Sequence, residues 1–98
     1  MNYNNYDWID ELLGKVDRKP AEVTFDPHLF DKLEYHNLDL DKVEETVRTG
    51  NIVSGKCEEP NKLCLERYFV KENTTYTIIA RFHEDFIEVR TVWLRKGR

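Results

Sequence analysis

Cysteine is scarce in this chain, and the two present, Cys57 and Cys64, form neither a CxxC pair nor a disulfide framework. With no third cysteine to complete a zinc set, they are read as thiols of a reducing compartment. Long apolar runs are missing too: none approaches the roughly 18 residues that suggest a membrane span. The stretch from Met1 to Asp10 is polar and acidic, unlike a secretory signal, so a cytoplasmic protein with no membrane partner is expected. Glycine is sparse at four residues, and GxxxxGK, GxGxxG and GxSxG do not occur. That removes the usual sequence support for nucleotide hydrolysis, dinucleotide binding and α/β-hydrolase chemistry. No internal repeat or low-complexity segment breaks the chain.

What is present fits one small domain spanning residues 1–98, since 98 residues leave no room for a second core. A hydrophobic fraction of 40% is enough to bury a compact interior. The formal charge of −4 hides a division: residues 1–60 hold 7 Lys+Arg against 14 Asp+Glu, whereas residues 61–98 hold 8 against 5. A basic C-terminal part suits either a nucleic-acid face or ordinary solvated strands.

Apolar residues at Tyr6, Ile9 and Leu13, beside Trp8 and Leu12, predict an amphipathic N-terminal helix that looks like an appendage. The charged stretch closed by Pro20 then reads as a connector, so residues 1–20 are set apart from a core of 21–98. Residues 22–25 suit a short strand. Asp26-Pro27 is an N-cap followed by a proline at the first helical position, and Leu29, Phe30 and Leu33 supply a stripe for a helix from there. Asp39 caps a second helix with Leu40, Val43 and Val47 on one face, and Gly50 ends it. Strands follow at 51–54, 63–72, 75–83 and 86–94, with two-residue turns expected at Asn73-Thr74 and Glu84-Asp85. Alternation puts Tyr76, Ile78, Ala80 and Phe82 on the core side, and it groups Val92 with Arg90 on the opposite side from Val89. The predicted fold class is α+β: a helical hairpin packed on an antiparallel β-meander, with an extra N-terminal helix.

His28, Lys32 and His36 recur every four residues, within about 80° of one another on a helix, and form one basic ribbon. If that edge abuts the sheet, it gathers with Arg67, Arg81 or Arg90 into a pocket for phosphate or for a partner's carboxylates. The plainer alternative is histidines satisfied near helix ends and a lysine that snorkels. Two histidines eight apart lack the spacing and ligand count of a metal site, so neither metal nor cofactor is expected. A Cys–His nucleophile pair has no electropositive surroundings to support it in the sequence. The tail Trp93 to Arg98, and Tyr68 with Tyr76, offer stacking groups and cations whose commoner roles are solubility and packing.

The stretch from His28 through Lys32, His36, Leu38, Asp39, Val43 and Val47 to Gly50 resembles the helical hairpin of small proteins related to the RelE and BrnT toxins. Phe25-Asp26 and the β-rich end through Val89, Arg90 and Trp93 are similar in kind, so the resemblance covers residues 22–94. Asn37 replaces the usual turn glycine, and Lys32 and His36 stand where arginine is frequent. The resemblance implies a RelE-like fold and a toxin of a toxin-antitoxin system that cleaves mRNA, held inactive by a cognate antitoxin. It implies RNA or the ribosome as partner, with a homodimer left open. His28 or His36 would be the acid or base, and Lys32, Arg81 and Arg90 would clamp phosphate with Arg67 as a further substrate contact. The competing expectation is a non-catalytic protein- or nucleic-acid-binding module on the same scaffold.

Overall fold

A computed structural model describes residues 6–31 and 38–98. Among these residues the frame is one five-stranded mixed sheet with two α-helices, an α+β architecture. The strands are β1 (Glu22–Phe25), β2 (Asn51–Ile52), β3 (Lys62–Phe69), β4 (Thr74–Phe82) and β5 (Phe86–Lys96), and they lie in the order β1-β5-β4-β3-β2. The expected meander is present in β3, β4 and β5, which pair antiparallel. The sheet as a whole is not antiparallel, because β1 runs parallel to β5 with Val23 opposite Ile87 and Phe25 opposite Val89. Local hairpin chemistry sets the direction of sequential strands. It says nothing about two strands joined through a long crossover.

The turn between β4 and β5 is the expected one: Phe82 faces Ile87, and the His83 N–H donates to Phe86 O at 2.8 Å across Glu84-Asp85. The turn between β3 and β4 differs. Phe69 pairs with Thr74, which makes the loop residues 70–73, with Asn73 at φ 49° in the left-handed region that asparagine tolerates.

Arg90 sits in a bulge. On β4 the partners step from Ile79 to Ala80, while on β5 they jump from Thr91 to Val89 and leave Arg90 without a partner. One extra residue reverses the alternation beyond it. Ile87, Val89 and Val92, all fully buried, therefore share the face of Ile78, Ala80 and Phe82, contrary to the grouping of Val92 with Arg90 expected from strict period two.

Both α-helices cover this apolar face. In α2 (Leu40–Thr49) the Asp39 carboxylate accepts from the Asp41 and Lys42 N–H groups, and Val43 and Val47, four apart, are fully buried while Leu40 is 39% exposed. The helix ends at Gly50, where the backbone turns extended, and the position requires glycine because a Cβ there would stand 2.5 Å from Thr46 O. In α1 (Asp7–Lys15) the sequence suggested an appendage, but Ile9 is 3% exposed, and Trp8, Leu12 and Leu13 pack against the core. The connector is tied down as well. Arg18 donates to Gly50 O at 2.8 Å, and Arg48 donates to the carbonyls of Arg18 and Ala21, each at 3.0 Å. These arginines satisfy carbonyls left free at the helix end and in the connector.

The first arm of the expected hairpin begins as a 3-10 turn over Pro27–Asp31 rather than an α-helix. Leu29 is buried there, but Phe30 is 49% exposed, so the predicted Leu29-Phe30 stripe holds only in part. Its other predicted members, Leu33, Lys32 and His36, lie outside the described residues. Among the described residues, no helix is long and apolar enough to cross a membrane.

Candidate functional site

The end of β1 and the bulge of β5 meet at Asp26. Its N–H donates to Val89 O at 2.9 Å, carrying the parallel pairing one residue past the strand, and places the carboxylate beside the bulged Arg90. Proline at position 27 starts the 3-10 turn, and Asp26 Oδ1 accepts from the His28 N–H at 2.9 Å, a local Asx-type closure. The same turn brings His28 Nδ1 to 2.9 Å from Asp26 Oδ1, while Asp26 Oδ2 pairs with Arg90 Nε at 3.3 Å. One carboxylate thus holds an imidazole and a guanidinium.

These residues line a cleft of about 420 Å³ together with Leu29, Lys62, Ile79 and Thr91. Leu29 and Ile79 give it an apolar floor. Lys62 opens β3 and pairs with Glu58 at 3.2 Å, and Arg90 also reaches Glu88 at 3.3 Å. The cations of the cleft are therefore neutralised by neighbours on its rim.

The Asp26 side chain is 14% exposed and the His28 side chain 87%. Hydrogen bonds from the backbone and then the ring of His28 hold the Asp26 carboxyl below the usual carboxylate range. The hydrogen bond to Asp26, its charge and that of Asp31 push His28 above its ordinary value. With Nδ1 turned to Asp26, the free ring nitrogen is Nε2. The result is an exposed imidazole biased toward its protonated form and fixed at one end, which is the arrangement of a proton donor.

Of the residues expected from the sequence, the structure brings His28 and Arg90 together. Arg81 lies next door, opposite Glu88 on β5 and Lys62 on β3, in a smaller groove of about 180 Å³ with Glu58, Glu59 and Asn61. Its Nε is buried with no hydrogen-bond partner among the described residues. Arg67 does not join them. It faces Tyr76 in the register, five residues along β3 from Lys62, donates to Thr49 Oγ1, pairs with Glu45 at 3.2 Å and covers the Phe69 ring at 5.0 Å. Its cleft, of about 430 Å³, includes Tyr68, Arg95 and Arg98 and belongs to the opposite end of the strands. Lys32 and His36 fall outside the described residues.

Sequence reasoning missed Asp26 and Lys62. Asp26 reads as a helix cap, and only its spacing of two from His28 hints at a shared hydrogen bond. Lys62 becomes visible once the β3–β4 register is known, because that register sets it against Arg81.

The thiols have no part in this site. Cys64 is buried, its N–H donates to Cys57 Sγ at 3.3 Å, and burial pushes both thiols upward, so they stay protonated and inert at neutral pH. Among the described residues, no three His, Cys, Asp or Glu side chains gather as a metal ion would need. Comparison with known proteins finds no family model that matches the chain, no similar curated protein and no similar solved structure.

Proposed function

We propose that the cleft between the end of β1 and the β5 bulge acts on an RNA phosphodiester, with the protein serving as an endoribonuclease toxin of a toxin-antitoxin system. The observation that carries this reading is the Asp26 carboxylate, which holds His28 Nδ1 at 2.9 Å and Arg90 at 3.3 Å in a cleft that also contains Lys62. The sequence resemblance to the RelE and BrnT group supports it independently and supplies the antitoxin and the ribosome as proposed partners.

RNA cleavage by the 2′-hydroxyl forms a bond from the 2′-oxygen to phosphorus and breaks the bond from phosphorus to the 5′-oxygen, leaving a 2′,3′-cyclic phosphate and a 5′-hydroxyl. In this reading the His28 imidazolium gives its Nε2 proton to the departing 5′-oxygen. Arg90 and Lys62 stabilise the charge that builds on the non-bridging oxygens. The sequence offers His28 or His36 as the acid or base, and with His28 as the acid, His36, which lies outside the described residues, is the proposed base for the 2′-hydroxyl. Asp26 keeps the imidazole charged and oriented.

A second reading, a non-catalytic nucleic-acid- or protein-binding module, draws on a different observation. Arg90 and Lys62 are already paired with Asp26, Glu88 and Glu58, which suits contacts that exchange one carboxylate for another. Incubating purified protein with single-stranded RNA, with and without ribosomes, separates the two. The nuclease reading expects cut RNA bearing cyclic-phosphate ends and growth arrest on expression. Binding with no cut product in either assay removes it and leaves the module.

A further inference from the structure

Strand β5 is eleven residues long, but β1 lines only its first four, Phe86 to Val89. From Arg90 to Lys96, no strand among the described residues pairs with that edge. The Gly97 N–H donates to Asn73 O at 2.8 Å on the β4 side. Counting back by alternation, the N–H and C=O groups of Lys96, Leu94 and Val92 turn away from β4, toward that edge.

Edges of this length are ordinarily blunted or covered, because they template another strand. Here the side chains flanking the edge are Trp93, 51% exposed on one face, and Leu94, 42% exposed on the other. Residues 90–98 carry Arg90, Arg95, Lys96 and Arg98 and no Asp or Glu. A second copy of the chain fits poorly, since antiparallel pairing centred on Trp93 sets Arg90 against Lys96, like charges directly opposite. A nucleic-acid backbone offers phosphate acceptors and, in RNA, ribose hydroxyls, but no alternating N–H and C=O groups at strand spacing to match the edge.

We propose that the edge of β5 from Arg90 to Lys96, which no strand among the described residues pairs, accepts an acidic, extended polypeptide segment as an added strand. The backbone of the segment pairs with Val92, Leu94 and Lys96, its carboxylates lie on the Leu94 face against Lys96, and its apolar side chains lie on the other face beside Trp93. This interaction stands whether or not the cleft at Asp26 cleaves RNA.

The test uses the full chain and a synthetic peptide of about eight residues, a common strand length, alternating glutamate with valine or threonine. Binding is expected to slow amide hydrogen exchange at Val92, Leu94 and Lys96. Methylating alternate backbone nitrogens of the peptide is expected to weaken binding at least tenfold, in the register that blocks the edge-facing donors. Leu94→Pro removes an outward N–H without breaking the β4 ladder and should act alike, and Lys96→Glu should weaken the acidic peptide selectively. The proposal is overturned if the peptide fails to bind at millimolar concentration, or if it binds without protecting those amides. It is overturned equally if a neutral peptide binds as well, or if self-association or a single-stranded RNA gives the same protection.

Discussion

At the scale of single residues, Asp26 organises the site, because one carboxylate sets the protonation of His28 and the position of Arg90. Replacing it by asparagine keeps the shape and removes the charge. In Asp26→Asn the His28 pKa is expected to fall toward the ordinary histidine value, read from the ring proton shifts in an NMR titration. An unchanged titration would mean that Asp26 does not control His28. The linkage has a definite sign. Asp26 is depressed, so its contribution to stability is present above its unfolded pKa and fades as pH falls through the folded value. His28 is raised, so its contribution is full below its unfolded pKa and is lost as pH rises through the folded value. Denaturation should show the difference between wild type and Asp26→Asn fading as pH falls through the folded Asp26 value, and shrinking without vanishing as pH rises through the folded His28 value, because the His28 N–H and Arg90 still hold the carboxylate. For catalysis, His28→Ala is expected to slow RNA cleavage by about 10²–10⁴-fold, the range for a general acid or base, with RNA binding nearly retained. A parallel loss of binding would make His28 a ligand contact instead.

At the scale of elements, α1 belongs to the core. Ile9→Ala should cost about 2–5 kcal/mol in chemical denaturation, the range for truncating a large buried aliphatic residue. A loss below about 0.5 kcal/mol, the scale of surface changes, would restore the appendage. Periodicity made much of the fold legible: α2 with its Asp39 cap, the three long strands, and the core face of Tyr76, Ile78, Ala80 and Phe82. It failed where geometry depends on distant chain. The parallel direction of β1 follows from its crossover to β5, and the burial of α1 depends on a sheet face that the helix pattern alone does not reveal. The bulge at Arg90 was also hidden, since one unpaired residue leaves no mark in an apolar-polar pattern that already has apolar groups on both sides. Of the site, His28 and Arg90 were visible as chemistry-bearing types. Asp26 was hidden by its second role as a cap, and Lys62 by the unknown register.

At the scale of the whole molecule, the excess of positive charge after residue 60 does not converge on one pocket. Register divides it between Lys62, Arg81 and Arg90 at one end of the sheet and Arg67, Arg95 and Arg98 at the other. The proposed RNA site is the first group. Lys62→Ala and Arg90→Ala should each lower the dependence of log K on log salt by about one unit, as loss of a phosphate contact does. The most direct measurement is chemical-shift mapping of the labelled protein with a short single-stranded RNA. The largest changes are expected on Asp26, His28, Lys62 and Arg90. Changes confined to Arg67, Tyr68, Arg95 and Arg98, or no changes at all, would contradict the proposed site.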